Sequence, residues 1–234
     1  MAARYESWYD TPRGRRFDAA QKDAVSRLLP VPEPGQTLLE AGCGTGHWAR
    51  FFAQCGYEVT GLDLSPEMIA AARAQACDHC RFLVGDAVHL PVRPGSCQVA
   101  ATITTLAFVS EPASVIAGLA ACVEPGGTLL VGILNRLAAV NRRRVAQGRE
   151  PYASARMLSP AELIALLQPL GEVRLVGAVQ GHGPWARLLA WLAGGHGRRS
   201  RAPFVVAAVT RGPGGADSTL SHRPAVGSAV TPRH

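Results

Sequence analysis

Apolar positions along the chain switch repeatedly between helical and strand periods. Phe17, Ala20, Ala24, Val25 and Leu28 recur at helical spacing and predict a helix over residues 17–29, closed by the Pro30–Gly35 turn. Thr37–Ala41 is a short apolar run and reads as a buried strand, followed by glycines and a helix over 46–54. Strands are predicted next at 57–62, 81–84, 98–102 (extending toward residue 104) and 128–133. Between them Ser65-Pro66-Glu67 opens a helix, with Ser65 as cap and Pro66 in the first turn, and residues 112–122 form another. Glu124–Gly127 reads as a turn.

The second half is less regular. Residues 134–158 break the rhythm with an arginine-rich, helical, lid-like insertion. Ser159 caps a helix over 160–168, and strands are predicted at 173–179 and 203–210 with an apolar helix at 185–192 between them. Residues 1–16 are aromatic and charged, interrupted by Pro12 and Gly14, and read as an N-terminal arm. Residues 212–234 lack apolar periodicity and read as a disordered tail, leaving 1–211 as one domain. Strand and helix alternate four times, so the fold class is α/β, a doubly wound and mostly parallel sheet with right-handed crossovers.

Composition narrows this. With 234 residues and 47% hydrophobic content the chain can bury a proper core, and no apolar run reaches membrane-spanning length. The net charge of +7 is uneven: Arg136, Arg142, Arg143, Arg144, Arg149 and Arg156 face one acid, Glu150. Such a patch favours an anionic partner; without interleaved aromatics around 142–144 it makes a poor nucleic-acid platform. Residues 1–20 are charged and lack the apolar stretch of a secretory leader, so a cytoplasmic location with free thiols is expected for the six cysteines. Cys77-x-x-Cys80 is half a zinc site, with His89 as a conceivable third ligand; no second pair follows, and no metal is expected.

The chemistry concentrates at the strand ends. Gly42, Gly44 and Gly46 let the backbone turn tightly between strand and helix. The third glycine comes one residue early for a dinucleotide fingerprint, and there is no Gly-Lys-Thr/Ser for a P-loop. Glu40 ends the first strand as an acid in an apolar run. It would repel a phosphate over this turn and attract a cation; as a purely structural acid it would cap backbone amides. Asp63, ending the second strand, suits a ribose, for NAD as well as for a sulfonium nucleoside. Asp86 follows the third strand and suits an adenine amine, or merely its own turn.

The stretches LLEAGCGTGHWARFFAQCGYEVTGLDLSPEMIAAARA, FLVGDAVHLPV and VEPGGTLLVGILNR, and the start YESWYDTPRG, resemble class I S-adenosylmethionine-dependent methyltransferases of the small-molecule (methyltransferase type 11-like) kind, over residues 5–210. The resemblance implies a Rossmann-like seven-stranded sheet of order 3-2-1-4-5-7-6 with strand seven antiparallel. It implies S-adenosyl-L-methionine held by Tyr9, Glu40, Gly42, Gly44, Asp63, Leu64, Met68, Asp86, Ala87 and Thr104. The Asn/Asp-Pro-Pro-Tyr/Phe stretch of amino methylases is replaced by Thr102-Ile103-Thr104-Thr105, which argues against DNA or protein-glutamine acceptors.

The expected activity is methyl transfer to a small-molecule acceptor, favoured as an anion by the arginines, in a monomer or homodimer. The alternative is an RNA methyltransferase using the basic 136–156 region. No catalytic base is forced by the cofactor; Tyr9, Tyr152 and His182 are the candidates, with Tyr5, Trp8 and Arg156 as further wall residues and His47 as a packing residue.

Overall fold

The computed structural model describes residues 2–148, 150–178 and 201–212. Seven strands form one sheet of order β3-β2-β1-β4-β5-β7-β6: β1 (Thr37–Ala41), β2 (Glu58–Asp63), β3 (Cys80–Val84), β4 (Cys97–Ile103), β5 (Val123–Leu134), β6 (Val173–Gly177) and β7 (Phe204–Thr210). β7 runs antiparallel to both β5 and β6, and the other pairings are parallel. This is the order and the antiparallel strand that the resemblance implied.

Helices α1 (Ala2–Tyr9), α2 (Pro12–Ser26), α3 (His47–Gln54), α4 (Pro66–Arg73), α5 (Pro112–Cys122), α6 (Ala139–Ala146) and α7 (Pro160–Leu167), with short 3-10 turns at Thr105–Phe108 and Gln168–Leu170, complete the described elements. Side chains of α2, α3 and α4 pack on one face of the sheet around Trp48, Phe52 and Phe204. Those of α5 and α7 pack on the other around Leu119, Val131 and Leu163. Both faces of the central strands are covered, which is why these strands read as continuous apolar runs.

The caps behave as their residue types require. Ser65 Oγ accepts the Met68 amide at 3.3 Å, and Ser159 forms a capping box with Glu162 at the start of α7. The Ser159 amide and hydroxyl, together with Arg136, hold the Glu162 carboxyl down at about 2.

Four expectations are corrected. Pro12 does not break the arm: Thr11 caps α2, Pro12 occupies its first turn, and the residues before it form α1. Glu124–Gly127 is not a free turn but part of β5, where the register with β4 slips between Cys97↔Val123 and Val99↔Thr128. Its backbone pairs with Arg211 beyond β7, Gly126 N donating to Arg211 O and Arg211 N donating to Gly127 O, both at 2.9 Å. The insertion is helical only over α6, and residues 150–158 form an extended segment with turns. Finally, Cys77, in the loop after α4, and Cys80, the first residue of β3, are joined in a disulfide with their Cα atoms 5.3 Å apart, while Cys43, Cys55, Cys97 and Cys122 are free. The predicted helix at 185–192, the candidate base His182 and nearly all of the predicted tail lie outside the described residues. Among the described residues no helix is long and apolar enough to cross a membrane.

Candidate functional site

The strand order reverses between β1 and β4, and open sheets bind ligands at the carboxyl edge of such a switch point. Three turns meet there, after β1, β2 and β4. Gly42, Gly44 and Gly46 all adopt left-handed backbone with φ of +76°, +54° and +80°. They differ in what lies above them. A side chain at Gly42 would strike the Thr105 methyl at 2.2 Å, because Thr105 leans across to donate to Gly42 O at 3.1 Å. A side chain at Gly44 would meet nothing within 4 Å. Gly42 is thus required by the protein's own packing, and Gly44 borders open space.

Asp63 binds the turn from the side. One oxygen accepts the Gly44 amide at 2.8 Å and the other the Ser65 amide at 2.9 Å. Glu40 lies deeper, beside Gly61 and Ala101 in the register of its neighbours, with 1% of its surface exposed. Its Oε2 has no hydrogen-bond partner among the described residues. Burial, then the nearby Asp63 carboxylate, push the Glu40 carboxyl up to about 8, against the pull of Arg50. A buried carboxylate without a partner is costly, and a cation brought to it reverses the penalty. The unsatisfied oxygen, the second acid and the open space over Gly44 fit a positive, phosphate-free nucleoside; a phosphate would meet Asp63 as a like charge and would oppose ionisation of Glu40.

The N-terminal arm closes on the same turn. Glu6 Oε1 accepts from the Thr45 hydroxyl and lies 3.6 Å from the Arg50 guanidinium, which also donates to Thr45 O at 2.9 Å. The Tyr9 ring stacks on His47 with centroids 3.9 Å apart. His47 Nε2 in turn lies 2.7 Å from Asp18, whose other oxygen binds Lys22. Burial opposes ionisation of Asp18, yet His47 and Lys22 hold its carboxyl below the ordinary range. His47 is thus held between the Tyr9 ring and Asp18.

Thr104 is the non-glycine residue with positive φ among the described residues, at +61°. Its amide donates to Gly132 O at 2.7 Å, so the strained turn after β4 is anchored to β5. Asp86 closes its own turn: Oδ1 accepts the Val88 amide at 2.9 Å and Oδ2 lies 3.3 Å from His89. The Val88 amide, then His89, hold it below the usual carboxylate range. The Ala87 methyl packs into the α5-side core. Leu64 stands 71% exposed just past β2. Met68 lies in the first turn of α4. Tyr152 packs with Ala107, Leu134 and Met157, where the 150–158 segment docks beside β4 through Arg156 N donating to Ala107 O at 2.7 Å.

The structure thus gathers Glu40, Gly42, Gly44, Asp63 and Thr104 at one edge, places Tyr9 against the start of α3, and leaves Asp86 on the β3 flank. Sequence reasoning missed Glu6, Thr45 and Arg50, which are brought together across the gap between α1 and α3. It also missed three exposed apolar residues on the same edge as Leu64: Val84 ending β3, Phe108 after β4 and Leu137 after β5. Each strand-end apolar residue was legible as apolar, but not as uncovered.

Residues 39–131 match the model of a methyltransferase domain family. The chain is 34% identical over 123 residues to the malonyl-[acyl-carrier protein] O-methyltransferase of Serratia marcescens, covering 50% of this chain and 48% of that protein. It spans about half the length of that relative. It is 32% identical over 179 residues to the ubiquinone biosynthesis O-methyltransferase of Xanthomonas campestris pv. campestris, covering 73% of this chain and 69% of that one. A crystal structure of an S-adenosylmethionine-dependent methyltransferase from Thermotoga maritima superposes with a TM-score of 0.69 at 27% identity, over 89% of this chain and 95% of that one.

Proposed function

The chain belongs to the class I S-adenosylmethionine-dependent methyltransferases, and from that premise we propose that it binds S-adenosylmethionine at the β1/β4 edge and methylates a small-molecule acceptor. The observation that carries this reading is Glu40 Oε2, buried and without a hydrogen-bond partner among the described residues, beside Asp63 and the open space over Gly44. Bound there, the cofactor supplies an electrophilic methyl group, which forms a bond to the acceptor and leaves behind a neutral thioether.

The chain's own residues bind, orient and exclude water. Glu40 complements positive charge on the methionyl side, and the backbone at Gly44 gives close approach. Asp63 holds the turn and offers its carboxylate to the ribose hydroxyls. Leu64 and Met68 cover the adenine, and Asp86 with the Ala87 amide meets its edge. Thr104 sets the turn that faces the reacting methyl group. The arm, latched by Glu6 and Tyr9, shields the site from solvent, which raises the value of every charge interaction inside it. Positioning accounts for most of the rate in this reading, and Tyr9 and Tyr152 serve as walls rather than as bases.

Two of the six arginines of this region are engaged within the chain, which disfavours a nucleic-acid acceptor. Arg136 is spent on Glu162 in a two-pronged pair at 3.0 Å, and Arg142 donates to Leu137 O at 3.2 Å. The cytoplasmic location expected above belongs to this proposal; the four free cysteines favour it and the Cys77–Cys80 disulfide counts against it.

Isothermal titration with S-adenosylhomocysteine and with NAD tests the assignment. Saturable binding of the former with none of the latter is expected; the reverse result would sink it. Filter binding of RNA across a salt series separates the acceptor classes, since phosphate contacts would give a steep loss of affinity with salt.

A further inference from the structure

Arg144 differs from Arg50 and Arg136 in what holds it. Arg50 is tied to Glu6, and Arg136 to Glu162. Arg144 projects from α6 between two aromatic rings, its guanidinium carbon 5.3 Å from the centroid of Phe17 and 5.0 Å from that of Tyr152. No carboxylate of the described residues pairs with it; its one hydrogen bond among them runs from Nη1 to Asn141 Oδ1 at 3.2 Å. Asn141 is itself buried and fixed, donating from Nδ2 to the carbonyls of Asn135 and Pro203. The α6 turn that bears Arg144 is therefore held rigidly.

Its position links the two walls of the cleft. Phe17 packs edge-on against Trp8 of the arm, 5.8 Å between centroids, and the neighbouring Tyr9 lies on His47 at the start of α3. Tyr152 packs against Ala107 in the turn after β4, beside Thr104 and Thr105. Arg144 thus reaches from Phe17 of α2, against which the arm's Trp8 packs, to the segment that flanks the β4 turn. With aromatic rings over the guanidinium and one of its five N–H donors engaged, the remaining donors on its edge are preorganised for a planar, two-oxygen anion.

We propose that Arg144 is the anion-recognition residue of the acceptor site, and that the acceptor carries a carboxylate. This rests on the methyltransferase reading above and deepens it. The exposed apolar Phe108 and Leu137, on the turns after β4 and β5, supply a surface for the uncharged remainder of such an acceptor.

The test is isothermal titration of the full chain, first with S-adenosylhomocysteine and then, in its presence, with 3,4-dihydroxybenzoate, with malonate, and with methyl 3,4-dihydroxybenzoate as the neutral isostere of the first. At least one acid is expected to saturate with a Kd of about 1 mM or tighter. Arg144→Gln should weaken that acid by about tenfold or more while leaving S-adenosylhomocysteine unchanged, and Arg144→Lys, which keeps charge but loses the fork, should fall between. The ester should bind more weakly than its acid and be indifferent to Arg144→Gln. If Arg144→Gln fails to fold, Arg144→Lys and the acid–ester comparison on the unaltered chain decide.

The inference is overturned if neither acid saturates, if acid and ester bind alike, or if the substitution weakens both equally. Inorganic phosphate binding more tightly than either acid, and lost in Arg144→Gln, would overturn the carboxylate assignment in favour of a phosphate. Failure of S-adenosylhomocysteine itself to bind would bring down the methyltransferase reading instead, and this inference with it.

Discussion

The carboxylate of Asp63 reaches from the end of β2 to the Gly44 amide, 2.8 Å away in the turn after β1, while its other oxygen takes the Ser65 amide. One side chain thus fixes two of the three turns of the site relative to each other. Replacing it with Ala removes both acceptors. Asp63→Ala is expected to cost about 1–3 kcal/mol of stability and to weaken S-adenosylhomocysteine by about tenfold or more. Thermal unfolding and calorimetry read the two effects, and unchanged affinity in a folded variant would remove Asp63 from the cofactor site.

Glu40 predicts a pH dependence of defined sign. Its carboxyl, raised from 4.5 to about 8 in the folded chain, binds a proton that the unfolded chain releases. Its contribution to stability is complete below the unfolded value and is lost as pH rises through about 8. A bound cation favours the ionised form, so cofactor binding should release a proton between these limits. S-adenosylhomocysteine affinity is expected to rise between pH 6 and 8, by at most about tenfold per pH unit. Glu40→Gln should abolish that slope and make the ligand-free chain more stable at pH 8. A slope that survives the substitution would show that another group titrates.

The first two glycines of the turn should fail in different ways. Gly42→Ala forces Thr105 away from its bond to Gly42 O and is expected to destabilise the fold by about 2 kcal/mol or more. Gly44→Ala meets only the strain of left-handed backbone, about 1 kcal/mol, and should fold. Its methyl group points into the space assigned to the cofactor, so affinity should drop by about tenfold or more. Melting curves paired with titrations distinguish the two, and a Gly44→Ala chain that binds normally would show that nothing approaches that backbone.

The arm latch is separable from the core. Thr45→Val removes the hydroxyl that Glu6 accepts and leaves the volume nearly unchanged. Dissociation of S-adenosylhomocysteine, followed by stopped-flow fluorescence of the arm's Trp8, should accelerate by about three- to tenfold, with global stability altered by less than about 1 kcal/mol. Unchanged dissociation would mean that the arm does not shield the site.

Much of this was legible in the chain because it is local. β1 and α5 were bounded to the residue, since an apolar run ends abruptly at Gly42 and Pro112 starts a helix that gives way at Cys122. Ser65-Pro66 and Ser159-Pro160 announced their helices because a cap acts within one turn. Glu124–Gly127 misled because glycine and proline signal a turn, whereas its strand character comes from Arg211 beyond β7.

Sequence alone determined the alternation of elements, the glycine turn and the acids that close the first two strands, for these follow from spacing and side-chain chemistry. Tertiary structure decided which acid is buried without a partner among the described residues, which glycine borders open space, and which arginine lies against two aromatic rings. Those properties depend on neighbours: Thr105 covers Gly42, Glu162 neutralises Arg136, and Phe17 and Tyr152 enclose Arg144. Charge and shape at a site are sums over groups that only the folded chain brings within a few ångströms of one another.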